Sequence, residues 1–105
     1  MAAQLIGEVL PDLLEELVYL LRQSDSAALE PQLRRLKIES ICDCGDQDCA
    51  SFATAPEVKV NRTIELEAME GLLILDLNAE DQICFVEVLG RPDVRYLLEE
   101  HYSAS

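Results

Sequence analysis

Three cysteines, Cys42, Cys44 and Cys49, lie in one short stretch of the chain, Cys42-Asp43-Cys44-Gly45-Asp46-Gln47-Asp48-Cys49. On an extended backbone, side chains two apart share a face, so Cys42 and Cys44 point the same way. Gly45 permits a sharp reversal that returns Cys49 beside them. Three thiolates converging on a turn suit Zn²⁺, which makes Cys42, Cys44 and Cys49 the candidate metal ligands. A closed structural zinc site takes a fourth ligand, and the candidates are Cys84, His101, Asp46 and Asp48. Cys84 shares an apolar strand face with Val86 and Val88 and reads as a core residue, because a free cysteine packs as a small hydrophobe. His101 stands near the C-terminus and reads as solvated. The C-x-C-x4-C spacing is only half of a paired zinc motif, so a thiol-lined turn and a redox site stay open beside the metal. The redox reading is the weaker. Asp43, Asp46 and Asp48 should raise the thiol pKa values and leave poor nucleophiles unless a metal offsets them. The same aspartates fit no EF-hand register.

The carboxylates are the other reactive population. The 105 residues include 21 acids and 8 bases, a formal charge of −13. Residues 1–50 hold 10 acids and 4 bases and residues 51–105 hold 11 and 4, so the excess belongs to the whole surface and not to a tail. Nucleic acids and anionic membranes both require a basic footprint, and neither is an expected partner. A basic protein is. With no Trp and 5% aromatic residues, stacking platforms for bases are poorly supplied. Glu65, Glu67 and Glu70 form the densest remaining group and read as an outward, solvated strand face. Asp76 and Glu87 interrupt a mostly apolar hairpin and read as lying at the solvent end of the sheet, with partial burial and a perturbed pKa as the alternative. One histidine and four dispersed glycines offer neither a nucleophile–base pair nor a phosphate loop, and no catalytic residue is assigned.

The elements that must position these groups are legible in outline. Pro11 and Asp12 suit a helix's first turn, and Leu13, Leu14, Leu17, Val18, Leu20 and Leu21 recur at helical spacing, predicting a helix over 11–23. A shorter helix or pair of turns fills 27–36, disturbed by Pro31. From Leu36 the period becomes two, a strand running into Cys42, followed by the polar loop 43–50. Residues 51–55, 58–60 and 63–67 are further strand pieces. Leu72–Leu77 is apolar on both faces up to Asp76, which predicts a central strand covered on both sides. Residues 78–82 are a turn, 83–89 return antiparallel, and Gly90 and Pro92 lead into a last helix over 93–102. The expectation is one α+β domain over 1–105: a helical part over 1–36, an antiparallel meander of about four to five strands over 37–90 carrying the cysteine loop 42–49, and a short C-terminal helix over 91–102. Glu8, Asp12, Glu15 and Glu16 interrupt the apolar start, which therefore suits neither a signal peptide nor a membrane span. A cytoplasmic protein with reduced or metal-bound cysteines is expected.

Two stretches carry a resemblance. GLLILDLNAEDQICFVEVLGRPDVRYLL over 71–98 resembles the hairpin of small bacterial proteins that read hydrophobic-Leu-Asp, turn, hydrophobic-Glu-hydrophobic-Leu. CDCGDQDCASFATAP over 42–56 resembles a Cys-rich loop followed by Ser-Phe in bacterial proteins that accompany secreted polymorphic toxins. The resemblance implies an immunity protein, for instance of a contact-dependent growth inhibition pair, which binds a cognate toxin C-terminal domain in the cytosol and carries no catalytic residues. Charge gives a physical reason. A nuclease presents a positive groove to phosphates, and an acidic protein can occupy that groove. The contacts expected on this reading are Asp43, Asp46 and Asp48 on the cysteine loop, and Glu65, Glu67 and Glu70, beside apolar neighbours such as Phe52 and Met69. A small zinc-stabilised regulatory or housekeeping module is the alternative.

Overall fold

The structure, a computed structural model, describes residues 4–42, 44–46 and 48–102. A helix α2 (Pro11–Arg22) forms where the leucine spacing predicts it, with Pro11 in its first turn and Asp12 beside the positive end of its dipole. It buries Leu13, Leu14, Leu17, Val18 and Leu21 along one stripe. Two short elements precede it: a strand β1 (Gln4–Leu5) and a single-turn helix α1 (Ile6–Val9). After α2, a 3₁₀ turn over Ala27–Leu29 leads into α3 (Glu30–Leu33). Pro31 sits at the start of α3, where its missing N–H leaves no helical bond unmade. It opens this helix and does not disturb it.

The expected strand from Leu36 to Cys42 is split. Its first piece, β2 (Lys37–Ile38), pairs antiparallel with β1. Its second, β3 (Ser40–Ile41), pairs with β4 (Phe52–Ala53) in the main sheet. That sheet continues with β5 (Arg62–Leu66), β6 (Leu72–Leu77) and β7 (Ile83–Leu89). All its pairings are antiparallel, in the order β3-β4-β7-β6-β5. Only β5, β6 and β7 form a meander. β4 lies against β7, so residues 54–61 must carry the chain to the far edge of the sheet. Val58 and Val60, expected in a strand, lie exposed on this crossing.

Leu66, Leu73, Leu75, Leu77, Val86 and Val88 share one buried cluster with the leucines of α2. The opposite face of the hairpin carries Leu72, Ile74, Phe85 and Glu87, each only half-buried. Leu72–Leu77 is therefore fully covered on one face and partly on the other. A bulge interrupts the β6–β7 ladder: Asp76 opposes Phe85 and Leu77 opposes Ile83, which leaves Cys84 as the extra residue. Gln32 of α3 bonds Asp81 O and the Ile83 N–H, fixing the helical layer to this end of the hairpin. At the other end, Gly71 (φ 67°) packs against the β7–α4 corner. A Cβ there would come within 2.2 Å of Leu89 O, so the position requires glycine. The last helix, α4 (Pro92–Tyr102), buries Val94 and Leu98 into the same core.

Candidate metal centre

β3 brings Cys42 alongside β4, and the Cys42 N–H donates to Ser51 O at 2.9 Å. Gly45, with φ 79°, makes the reversal its sequence position anticipates. The turn closes on itself: Asp46 Oδ1 accepts the Asp48 N–H at 2.9 Å, and Asp46 O accepts the Cys49 N–H at 3.1 Å. Cys49 then pairs with Leu89 across an isolated bridge, and Gly90 N–H donates to Asp48 O at 2.8 Å. Arg95 of α4 grips the loop from outside, donating through Nη1 to Asp46 O at 2.6 Å and to Cys49 O at 3.0 Å.

This scaffold brings the sulfurs of Cys42, Cys44 and Cys49 within 4.8 Å of one another. A tetrahedral zinc with bonds of ~2.3 Å would set them roughly 3.8 Å apart, so a contraction of about an ångström or less closes the set. Cys42 and Cys44 are exposed and Cys49 half-buried. Burial pushes the Cys42 thiol up to about 11, helped by its hydrogen bonds with Cys44 and Cys49. At Cys49 burial acts in the same direction but is outweighed. Hydrogen bonds from the Ser51 hydroxyl and N–H, and from the Cys44 and Cys42 thiols, bring its pKa below the ordinary thiol value. The aspartates were expected to raise all the thiols; a local ring of donors instead favours one thiolate.

The expected fourth ligands lie elsewhere or are engaged. Cys84 is fully buried in the β7 bulge, 3.5 Å from Asp76 O, and is a core residue as its strand position implied. His101 is exposed and bonds Gln4 Oε1. Asp46 caps its own turn, and Asp48 is exposed with its backbone tied to Gly90. Among the described residues, no further His, Cys, Asp or Glu joins the three sulfurs at the same spacing. No helix among them is long and apolar enough to cross a membrane.

Of the expected partner-binding residues, Asp43 lies outside the described residues. Asp46, Asp48, Glu65, Glu67 and Glu70 are all exposed. The contact of Gly71 with Leu89 and Gly90 sets Glu70 beside the Asp48–Gly90 junction, at one end of the sheet. Glu65 and Glu67 run along the β5 edge. Phe52, expected as an accessible apolar neighbour, is fully buried against Val86. Met69 is 98% exposed. It borders a hollow of about 370 Å³ lined by Glu16, Tyr19, Leu20, Met69, Glu70, Arg91 and Asp93. Tyr19, 64% exposed, is a lining residue the sequence did not single out. Arg91 is fixed at the base of this hollow, with Glu16 at 2.7 and 2.8 Å and Asp93 at 3.2 Å. The hollow therefore holds three carboxylates against one guanidinium. A larger hollow of about 640 Å³ under the β6–β7 turn contains no cysteine or histidine.

Among the described residues, Asp76 is the one buried acid. It is 3% exposed, and its Oδ1 has no hydrogen-bond partner. Burial, with a hydrogen bond and repulsion from Glu87, pushes its carboxyl up to about 7. The expected place at the solvent end of the sheet does not hold for Asp76: it lies within the β6–β7 ladder opposite Phe85 and is buried there, as the alternative reading had it.

Compared with known protein families, curated proteins and solved structures, the chain matches none.

Proposed function

We propose that the protein is a binding module that captures and neutralises a cationic protein, in the manner of an immunity protein facing a nuclease toxin domain. The observation that carries this reading is the hollow between α2, the β5–β6 turn and the β7–α4 corner. There Met69 and Tyr19 stand exposed beside Leu20, and Glu16, Glu70 and Asp93 line the rim. Exposed anchors inside a charged rim are the anatomy of a protein-binding hot spot. The rim, together with Asp46 and Asp48 at the same end, selects a basic partner. The formal charge of −13 steers it, with on-rates that fall as salt rises.

Zinc completes this reading. Cys42, Cys44 and Cys49 would hold the ion, which supplies a cross-link that a polar loop of this length lacks. Its role here is to brace: Asp46 and Asp48 are then presented on a fixed backbone, and the loop loses less freedom when a partner docks. The thiolates need no reaction of their own.

The test is to co-express the protein with the domain that the adjacent reading frame encodes, which this reading expects to be basic, and to isolate it through a tag on either protein. A stable complex that dissociates when Asp46, Asp48 and Glu70 are together replaced by Lys supports the reading. Absence of a complex, or one indifferent to those replacements, refutes it.

A further inference from the structure

Resting on the metal reading above, we propose that Glu99 of α4 supplies the fourth ligand to an ion held by Cys42, Cys44 and Cys49. A small hollow of about 70 Å³ separates the cysteine loop from α4, and Cys42, Cys49, Ser51, Arg95 and Glu99 all line it. Glu99 and two of the three cysteines thus border the same space, although about fifty residues lie between them in sequence.

Arg95 fixes this juxtaposition. Its Nη1 donates to Cys49 O at 3.0 Å and Asp46 O at 2.6 Å, while its Nε donates to Glu99 Oε1 at 2.6 Å. One guanidinium therefore holds both the loop and the carboxylate. The Glu99 side chain is 56% exposed, so it can turn without disturbing the core. Leu98 and Val94 anchor the helix behind it. A carboxylate can keep one oxygen on a guanidinium and give the other to a metal, and such a partner orients the ligand. Charge agrees: Zn²⁺ with three thiolates and a carboxylate carries an excess negative charge, and Arg95 stands beside it. Asp46 is the poorer donor, because its carboxylate already caps the loop turn. With Glu99 bound, the ion joins the β3–β4 loop to α4 as a second clamp beside Arg95.

The test is titration of the full-length chain with Co²⁺ and Zn²⁺, comparing wild type with Glu99→Ala and with Glu99→His, whose ring nitrogen reaches about as far as the carboxylate. Cobalt absorption reports both thiolate ligation and coordination number, and a chromophoric chelator gives the zinc affinity. Wild type should bind one ion with a tetrahedral cobalt spectrum. Glu99→Ala should weaken binding on the order of tenfold or more and lower the intensity of the ligand-field bands. Glu99→His should restore affinity relative to Glu99→Ala and shift the ligand-field bands from those of wild type, which only a residue reaching the ion can do. Glu99→Ala binding with wild-type affinity and spectrum overturns the Glu99 assignment and leaves the three-cysteine site intact, as does a Glu99→His spectrum identical to that of Glu99→Ala. If wild type binds neither ion, both the assignment and the metal reading fail.

Discussion

Replacing Asp76 by Asn should make the protein more stable above neutral pH and remove part of its pH dependence. Asp76 sits inside the sheet with one oxygen unpartnered and the Glu87 carboxylate beside it, so the folded protein holds its proton up to about 7. The unfolded chain releases that proton near 4. Where the unfolded chain has lost the proton and the folded form still keeps it, unfolding releases a proton, so stability falls as pH rises. The contribution of such a group is complete below the unfolded pKa and drains away as pH climbs through the folded one. One such group removes roughly 2.5 kcal/mol between pH 5 and pH 8, at 1.36 kcal/mol per pH unit. Asn has nearly the same shape, has no proton to lose, and can donate to Glu87. Urea unfolding of both proteins at pH 5, 6, 7 and 8 reads the effect of Asp76 together with its neighbour Glu87, because the carboxylates away from this pair cancel in the difference. The stability of the variant relative to wild type should rise by roughly 2.5 kcal/mol from pH 5 to pH 8. A difference that stays flat from pH 5 to 8 would refute the buried-proton argument.

Cys44→Ser should abolish zinc-dependent stabilisation. Thermal melts with and without Zn²⁺ should show a shift in wild type and none in the variant. Gly71→Ala forces a Cβ to within 2.2 Å of Leu89 O at a positive φ; it should cost about 1–3 kcal/mol or more by chemical denaturation and loosen the end of the sheet that holds Glu70. Leu75→Ala empties a fully buried site between the sheet and α2 and should cost about 2–5 kcal/mol in the same assay.

Elements with a strong period were readable. The leucine stripe of 11–22 buries its selected residues except the half-buried Leu20, and the runs 72–77 and 83–89 bury the face that carries Leu73, Leu75, Leu77, Val86 and Val88. β1 escaped because a strand of two residues carries no period; it is recognised only through its pairing with Lys37 and Ile38. The placement of β4 against β7 escaped for a related reason. Which strands pair across thirty residues depends on shared burial, here of Phe52 beside Val86, and not on any local pattern. Val58 and Val60 misled because β-branched residues were read as a strand where no neighbouring edge receives one. At the candidate site, the three cysteines and the turn at Gly45 were legible, since both are local. Arg95 and Glu99 were not. Arg95–Glu99 reads in sequence as an ordinary i,i+4 helix pair, and only the fold lays it on the loop. Tyr19 was equally hidden, because the hollow it lines is assembled from α2, the β5–β6 turn and the β7–α4 corner.

One end of this acidic fold is proposed to receive a cationic protein. Calorimetric titration with the domain that the adjacent reading frame encodes, expected to be basic, checks this at low and physiological salt, with wild type and with Tyr19→Ala/Met69→Ala. A tight complex should form and weaken as salt rises, with a loss of about 1 kcal/mol or more in the uncharged double variant with its fold intact. Binding that ignores salt and tolerates loss of both anchors would contradict it.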